Sequence, residues 1–170
     1  MKKISIVIPV YFNESNLPDT VPQLLSLEEN LPGYRLELVF VDDGSGDRSL
    51  NLLVDYQSKH PERIKVVKLT RNFGSMSAIQ AGFTVATGDC VGMISADLQD
   101  PPEVIPEMIA KWREGYDVVY GVRASREGET WFKRFTAAAF YRLIDRITGI
   151  DIPLDTGDFR LMDRRVVDAI

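Results

Sequence analysis

Short apolar runs alternate with amphipathic stretches along residues 1–122, and this alternation constrains the fold more than any other feature of the sequence. Most of the runs are rich in valine and isoleucine and show no polar alternation, as expected of strands that are covered on both faces. They predict β-strands at 4–10, 36–41, 64–69, 90–95 and 116–122. The stretches between them predict helices at 15–31, 47–60, 74–88 and 102–115. Strand–helix alternation is typical of right-handed βαβ units. We therefore expect an α/β protein with a Rossmann-like, mostly parallel sheet flanked by helices.

Polar side chains follow four of the predicted strands at the point where each strand ends. The four stretches are 9–14 (PVYFNE), 42–45 (DDGS), 71–74 (RNFG) and 95–100 (SADLQD). In an open parallel sheet, ligands bind beyond the carboxyl ends of the strands. Turns that end strands also favour Asn, Asp and Gly, but four polar ends at one rim indicate a binding site.

The sequence lacks the glycine-rich loops that bind phosphate in dinucleotide-binding and P-loop folds. No glycine follows Val10 until Gly33, which argues against a nicotinamide dehydrogenase. A divalent cation is the natural substitute for neutralising a phosphate group. Asp97 and Gln99 offer hard oxygen ligands, whereas the chain contains one cysteine and one histidine. We therefore predict Mg²⁺ or Mn²⁺ as the cofactor rather than zinc.

Two of the acidic motifs also have a purely structural interpretation. Asp100 precedes two prolines and suits the N-cap of the helix predicted from residue 102, whereas Asp97 lies too early to cap it. The stretch 43–47 (DGSGD) is typical of a turn followed by an N-cap. A turn does not explain why Asp42 ends an apolar strand beside a second carboxylate, since repulsion and burial make both costly to ionise. Asp42 is therefore a candidate acceptor for an N–H group of a ligand base.

The composition is that of a soluble globular domain, with 170 residues of which 45% are hydrophobic and 26% charged. A net charge of −5 argues against nucleic-acid binding, which needs a basic face. No apolar run approaches the roughly 18 residues needed to span a bilayer, and the N-terminus lacks the features of a signal peptide. The lack of a signal peptide, together with a single cysteine that excludes an internal disulfide, predicts a reducing compartment. The final stretch, 159–170, reads as a helix without a stop signal, which predicts a chain truncated at its C-terminus.

Six stretches of the sequence together resemble the family 2 glycosyltransferases of the GT-A fold. They are SIVIPVYFNE, VFVDDGSGD, LTRNFGSMSAIQAGF, SADLQDPPE, YGVRASRE and DTGDFRLMDRRVV. Within that family they are most similar to the polyprenyl-phosphate glycosyltransferases, the group that contains dolichol-phosphate mannose synthase and the bactoprenol glucosyltransferases. The resemblance implies one GT-A catalytic domain over 1–170, with a nucleotide-sugar-binding half at 1–122 and an acceptor-side segment at 123–170.

The resemblance also implies which residues bind the donor nucleotide. The expected set is Pro9, Tyr11, Glu14, Asp42, Asp43, Arg71 and Asp97. Within this set, Asp42 is expected to read the imide of the base, with Asp43 in support. Arg71 and Gly74 lie in the stretch that borders the nucleotide in the family.

The metal ligands implied by the resemblance are Asp97 and Gln99. Asp97 corresponds to the second acid of the D-x-D metal motif, and Gln99 is an added ligand. Ser95 stands where the first acid of the motif is expected. A hydroxyl is a poorer ligand than a carboxylate, so metal recruitment is expected to depend on the diphosphate of the donor.

The segment after residue 122 is implied to bind the acceptor. The basic side chains that resemble those holding a lipid phosphate in this subgroup are Arg123, Arg126 and Arg134. A solvated helix face, with Glu127 and Glu129 among the arginines, is the structural alternative. The stretch TGDFR resembles the acceptor-side strand of the family, and Asp158 within it is the family's candidate for the catalytic carboxylate.

The implied activity is inverting transfer of a sugar from a nucleotide-sugar to a polyprenyl phosphate, either undecaprenyl or dolichyl phosphate. A UDP-sugar is preferred to GDP-mannose as the donor. Because an acceptor phosphate is already anionic, Asp158 would orient it or stabilise charge on the sugar ring, whereas a hydroxyl acceptor would need Asp158 as a general base. Two rival functions remain open: a family 2 transferase that acts on a saccharide hydroxyl, and a nucleotide-sugar-binding module with little turnover.

The acceptor implies a membrane location, because polyprenyl phosphate resides in a bilayer. The stretch 130–149 mixes aromatic and basic residues and is compatible either with a membrane interface or with packing on its own domain. We therefore expect the domain to work at the cytoplasmic face of a membrane.

Overall fold

The computed structural model of the protein describes residues 1–122 and 156–170. The strands are β1 (Lys2–Val10), β2 (Tyr34–Asp42), β3 (Ile64–Lys68), β4 (Cys90–Met93), β5 (Val118–Val122) and β6 (Thr156–Asp163). The helices are α1 (Leu17–Ser26), α2 (Ser49–Lys59), α3 (Ser75–Val85), α4 (Ile105–Arg113) and α5 (Arg164–Val167), with 3-10 helices at Leu27–Asn30 and Pro102–Val104. The strands and helices predicted over residues 1–122 are confirmed, and their ends differ from the prediction by a few residues.

One sheet joins the six strands in the order β3-β2-β1-β4-β6-β5. β1 is parallel to β2 and to β4, and β2 is parallel to β3, whereas β6 is antiparallel to β4. The register pairs Val10 with Asp42, and Asp42 with Lys68. The carboxyl ends of β1, β2 and β3 therefore meet at one rim, as the predicted α/β fold requires.

The described residues belong mainly to one compact unit, which comprises Met1–Tyr120 and Asp158–Ile170. A second unit, Gly121–Gly157, is described only at residues 121–122 and 156–157. Most of β6 therefore belongs to the same unit as β1 to β4. In the part of the chain that the structure describes, no helix is both long enough and apolar enough to cross a membrane.

The structure confirms the strand implied at 156–160 (TGDFR) and corrects the helix expected over 159–170. Residues 159–163 continue β6, and α5 is a single turn at Arg164–Val167. Pairing with β4 buries Leu161 and Met162, which are 2% and 3% exposed. An apolar run that is buried on both faces shows no periodicity that separates a strand from a helix. The distant pairing partner decided its conformation.

Apolar side chains cover both faces of the sheet. On one face, Ile6 and Ile8 of β1 belong to a buried cluster with side chains of α1, α2 and α4. On the other face, Val7 and Val41 belong to a cluster with side chains of α3. Burial of each such aliphatic side chain contributes about 1.5–3 kcal/mol. Because successive residues of a strand point to opposite faces, adjacent residues at the end of a strand enter different surroundings.

A buried ionic network lies in the amino-terminal half of the sheet, and the sequence analysis did not identify it. Glu37 of β2 is 3% exposed and accepts hydrogen bonds from the Ser5 hydroxyl at 2.6 Å and the Thr87 backbone N–H at 2.8 Å. The Lys65 ammonium lies 3.0 Å from the same carboxylate. Burial raises the pKa of Glu37, but these hydrogen bonds outweigh it and lower that pKa to about 2. The network joins three parallel strands through one ionised carboxylate.

Candidate active site at the carboxyl ends of the strands

A cavity of about 270 Å³ opens at the carboxyl ends of β1, β2 and β4. Its walls come from four loops that are distant in the sequence. The lining residues are Pro9, Val10, Tyr11, Asn13, Asp43, Asn72, Gly74, Ser75, Ser95, Ala96 and Asp97. All four of the polar strand ends predicted from the sequence therefore contribute to one cavity.

The loop after β1 supplies Tyr11, a residue of the cavity wall that is 47% exposed. Its backbone N–H donates to Oδ1 of Asn13 at 2.9 Å. The backbone N–H of Asn13 in turn donates to the hydroxyl of Ser49, the first residue of α2, at 2.9 Å. The loop is thus tied to the start of α2 while the Tyr11 ring stays accessible to a ligand.

Glu14 joins two loops and is not among the residues that line the cavity. Its Oε2 accepts a hydrogen bond from the Arg48 backbone N–H at 2.8 Å, and its own N–H donates to Asp47 Oδ2 at 3.2 Å. Asp47 Oδ1 also accepts from the Ser49 N–H at 3.0 Å, next to the start of α2. The N-cap residue of α2 is nevertheless Arg48, so the N-cap predicted at Asp47 is wrong by one residue. Although burial raises the pKa of Asp47, its hydrogen bonds to Ser49 and Glu14 lower it below the ordinary value.

Asp42 and Asp43 occupy different surroundings at the end of β2. Asp43 lines the cavity, and its two oxygens accept from the backbone N–H groups of Phe73 at 2.8 Å and Gly74 at 2.9 Å. Asp42 is fully buried, and neither of its oxygens has a hydrogen-bond partner among the described residues. A buried polar group without a partner is rare and calls for an explanation. The carboxylate that faces the cavity is therefore Asp43, and Asp42 lies beneath the rim.

Arg71 lies at the rim but not in the wall of the cavity. Its side chain is exposed, and its guanidinium carbon is 4.5 Å from the centroid of the Phe73 ring, within the range of a cation–π contact. The loop backbone at Arg71 and Asn72 approaches Gly44 so closely that a Cβ on this glycine would be 2.6 Å from the carbonyl carbon of Arg71. The turn after β2 thus supports the loop that carries Arg71.

The loop after β4 carries the predicted metal ligands. Asp97 and Gln99 are both exposed, and Gln99 Nε2 donates to Asp97 Oδ2 at 2.8 Å. Between them, Leu98 has φ 51°, in the left-handed region that non-glycine residues rarely adopt. The N-cap residue of the following 3-10 helix is Pro101, one residue after the predicted Asp100.

The donor set fits a divalent cation only in part. Ser95 lines the cavity with Asp97, and its hydroxyl is buried without a hydrogen-bond partner among the described residues. No group of three or more His, Cys, Asp or Glu side chains is suitably arranged within 1–122 and 156–170. One carboxylate, one amide and one hydroxyl are oxygen donors that suit Mg²⁺ or Mn²⁺. They leave most of the coordination sphere to oxygens of a ligand.

The predicted acceptor residues lie largely outside the described part of the chain. Arg123, Arg126 and Arg134 fall between residues 122 and 156 and are not described. Asp158 belongs to β6, but its side chain also lies outside the described residues. The structure therefore describes the side chains of the predicted donor residues, and those of the predicted acceptor residues lie outside its described part.

Several lining residues were not predicted individually, among them Asn13, Asn72 and Ser75. Asn13 and Asn72 lie in the polar strand ends that the sequence analysis identified, so their position carried the signal. Ser75 is the first residue of α3 and brings the N-terminus of that helix to the cavity. The unpaired N–H groups and the dipole of a helix N-terminus favour anions.

Comparison with known sequences assigns the chain to a family. Residues 5–170 match the Glycosyl transferase family 2. The chain belongs to this family. A relative from Synechocystis sp., an uncharacterized glycosyltransferase, is 53% identical over 169 residues, which are 99% of this chain and 52% of the relative. This family 2 chain therefore spans about half the length of that relative.

Two solved structures show that the family 2 domain has the GT-A fold. A mannosyltransferase from Pyrobaculum calidifontis, in complex with GDP-Man and Mn²⁺, has a TM-score of 0.69 at 17% identity and covers 99% of this chain and 46% of its own. Glucosyl-3-phosphoglycerate synthase from Mycobacterium tuberculosis, in complex with UDP, has a TM-score of 0.68 at 19% identity, with 97% and 58% covered. The expected α/β fold with a mostly parallel sheet flanked by helices is confirmed.

Proposed function

We propose that this family 2 domain binds a nucleotide-sugar in the cavity at the carboxyl ends of β1, β2 and β4, and transfers its sugar with inversion to a polyprenyl phosphate. The observation that carries the proposal is the convergence of Tyr11, Asp43, Gly74 and Asp97 on one cavity. An accessible aromatic ring, a carboxylate, a helix N-terminus and a potential cation ligand are the groups that a base and a diphosphate require.

The orientation of the donor follows from these positions. The Tyr11 ring offers a face for the base or ribose, and the first turn of α3, which begins at Ser75, attracts the diphosphate. We keep Asp42 as an acceptor for an N–H of the base, because its two oxygens have no protein partner among the described residues. We also keep Pro9, Glu14, Asp43 and Arg71 in the donor site, with a UDP-sugar preferred to a GDP-sugar.

Asp97 and Gln99 would hold Mg²⁺ or Mn²⁺ next to the diphosphate. Such an ion would stabilise the negative charge that develops on the departing nucleoside diphosphate. The Pyrobaculum mannosyltransferase is in complex with GDP-Man and Mn²⁺, which supports a divalent cation as the cofactor of the present chain. Gln99 would need to turn its amide oxygen toward the ion, since its nitrogen now donates to Asp97.

The reaction itself would be a single displacement. An oxygen of the acceptor phosphate attacks the anomeric carbon, the bond from that carbon to the diphosphate oxygen breaks, and the nucleoside diphosphate leaves. Because the phosphate is already anionic, positioning contributes more than proton removal. Arg123, Arg126 and Arg134 are proposed to hold this phosphate, and Asp158 to orient it, at the cytoplasmic face of a membrane.

Ligand binding to the purified chain tests the donor half of the proposal. The midpoint of thermal unfolding is measured without nucleotide and with UDP, GDP or AMP. Each measurement is made with and without Mn²⁺. A ligand that binds the folded state raises the midpoint. At a ligand concentration of 100 Kd it increases the unfolding free energy by about 2.7 kcal/mol. We expect UDP with Mn²⁺ to stabilise the unmodified chain, and Asp97→Asn to reduce that effect. Failure of both UDP and GDP to stabilise it would overturn the proposal.

Product analysis tests the acceptor half. A radiolabelled nucleotide-sugar that binds the chain is incubated with undecaprenyl phosphate or with an oligosaccharide, and the label is partitioned between organic solvent and water. We expect the label in the organic phase with undecaprenyl phosphate. Label that appears only in the oligosaccharide would instead support a transferase acting on a sugar hydroxyl.

A further inference from the structure

Phe12, the residue that follows Tyr11, has an unusual backbone conformation. Its φ of 54° lies in the left-handed region, which bulky residues rarely adopt. Leu98 is the other non-glycine residue with positive φ in the part of the chain described, and it too lies beside a residue of the cavity wall, Asp97. Backbone strain of this kind persists only where the surroundings enforce it, and it clusters at functional sites.

The conformation of Phe12 brings its ring against that of Tyr11. Side chains of successive residues in a strand point to opposite faces, which keeps neighbouring rings apart. At the end of β1 the left-handed residue turns the chain out of the strand, and the ring centroids of Tyr11 and Phe12 are 4.7 Å apart. The planes meet at 89°, the edge-to-face geometry that aromatic pairs prefer.

The turn after β2 also contacts Phe12. The backbone N–H of Phe12 donates to the Ser45 hydroxyl at 3.1 Å. A Cβ built on Gly46 would lie 3.2 Å from Cζ of Phe12, so the ring lies directly against this glycine. The ring thus contacts both Gly46 and Tyr11, although the Phe12 residue as a whole is 53% exposed.

Phe12 does not line the cavity, whereas Tyr11 does. An exposed tyrosine ring is free to rotate between staggered rotamers, and ordering it on binding costs conformational entropy. A neighbouring ring that already restricts this rotation reduces that cost, which is the general benefit of preorganisation.

We propose that Phe12 is a positioning residue for the donor, which holds the Tyr11 ring in the orientation that contacts the nucleotide. This inference rests on the proposed function. The strained backbone lowers stability and the ring contact favours binding. Replacement of Phe12 should therefore change stability and affinity in opposite directions, whereas loss of a merely structural contact would lower both.

Variants of the full chain test this role. Phe12→Gly removes the ring, and glycine readily adopts a positive φ. Phe12→Asn also removes the ring, and asparagine tolerates the left-handed region. Phe12→Tyr keeps an aromatic ring. Tyr116→Asn, at an exposed aromatic residue outside the cavity, is the control. Calorimetry gives the Kd for UDP and for GDP with Mn²⁺, and thermal unfolding without nucleotide gives Tm.

We expect Phe12→Gly and Phe12→Asn to weaken nucleotide binding roughly three- to tenfold, the worth of one aromatic pair. Their Tm should equal or exceed that of the unmodified chain. Phe12→Tyr should retain both properties, and Tyr116→Asn should leave affinity unchanged. Gly46→Val, which displaces the Phe12 ring from the other side, should also weaken binding. In a transfer assay the loss should appear as a higher KM for the donor, with kcat nearly unchanged.

Two results would overturn the positioning role while leaving the proposed function intact. One is a Phe12→Gly or Phe12→Asn variant that binds nucleotide as tightly as the unmodified chain. The other is a joint fall of Tm and affinity, which would show that the ring is only structural. If the unmodified chain binds neither UDP nor GDP, the proposed function fails and this inference fails with it.

Discussion

Oδ2 of Asp43 accepts a hydrogen bond from the backbone N–H of Gly74 at 2.9 Å, and this contact joins the end of β2 to the start of α3. Oδ1 of the same carboxylate accepts from the N–H of Phe73 at 2.8 Å. Asp43 is 3% exposed, and Gly74 forms part of the cavity wall. One carboxylate with two acceptor oxygens therefore fixes the loop that faces the proposed diphosphate.

Asp43→Asn should destabilise this loop. An amide presents one acceptor oxygen, so its nitrogen would face one of the two N–H groups now bound. We expect a loss of about 1–3 kcal/mol of unfolding free energy, the cost of leaving a buried group unsatisfied, together with weaker UDP binding. Urea denaturation and calorimetry measure the two effects. Asp55→Asn, at an exposed position of α2, is the control; equal behaviour of the two variants would contradict the assigned role.

A pair of glycines separates the effect of backbone strain from that of close approach. Gly44 and Gly33 both have positive φ, 73° and 86°. A Cβ on Gly44 would lie 2.6 Å from the carbonyl carbon of Arg71, whereas one on Gly33 would meet nothing within 4 Å. Gly33→Ala should cost about 1–2 kcal/mol for the left-handed conformation alone.

Gly44→Ala should cost more than Gly33→Ala and should also reduce UDP binding, because the loop at Arg71 must move. Unfolding free energies from urea denaturation and UDP affinities from calorimetry provide the comparison. If both alanine variants lost the same stability and kept the same affinity, the close approach of the two loops would have no consequence for the site.

The buried Asp42 predicts a conflict between stability and binding. Its oxygens have no hydrogen-bond partner in residues 1–122 or 156–170. Asp42→Val should stabilise the fold by about 1–3 kcal/mol, since an unsatisfied buried polar group is removed. The same variant should bind UDP more weakly, because the base loses its acceptor. A stabilised variant with unchanged affinity would exclude Asp42 from the donor site.

Ser95 predicts weak binding of the metal ion in the absence of nucleotide. Ser95→Asp places a second carboxylate next to Asp97 in the cavity wall. At about 4 Å one unit charge attracts another by about 1 kcal/mol even in water, and a divalent ion doubles this. We expect Mn²⁺ affinity without nucleotide to rise about tenfold or more, measured by Mn²⁺ electron paramagnetic resonance. Ser95→Ala is the matched control, and no gain for Ser95→Asp would contradict the coordination proposed.

Glu37 predicts how stability changes in acid. Its pKa is lowered from 4.5 to about 2 in the folded state, so its contribution is complete above pH 4.5 and is lost as the pH falls toward 2. A difference of this size corresponds to on the order of 3 kcal/mol. Glu37→Gln should therefore be less stable than the unmodified chain at pH 7, and the gap should narrow below pH 4.5.

Urea denaturation at pH 7, 4 and 3 measures this gap. Glu62→Gln, at an exposed position before β3, is the control and should leave the unfolding free energy unchanged at each pH. A gap for Glu37→Gln that stays constant from pH 7 to pH 3 would show that ionisation of Glu37 does not stabilise the fold.

The class of the fold and the place of the site follow from local patterns in the amino-acid sequence. Apolar runs alternating with helical patterns are sufficient to predict βαβ units, because a strand buried on both faces needs helices to cover it. The polar ends of four strands predicted a common rim, and Tyr11, Asp43, Gly74 and Asp97 do meet there. Local patterns gave these results because they depend on spacing along the chain.

The division of roles between neighbouring residues depends on contacts between distant parts of the chain. Asp42 and Asp43 are equivalent in the sequence, but strand alternation buries Asp42 while Asp43 reaches the loop at Gly74. Pairing of β6 with β4 likewise extends the strand through residues 161–163, and the N–H of Phe12, a residue at positive φ, is bound by Ser45 of the turn after β2. Each outcome depends on a partner distant in the chain, and no local pattern contains the position of that partner.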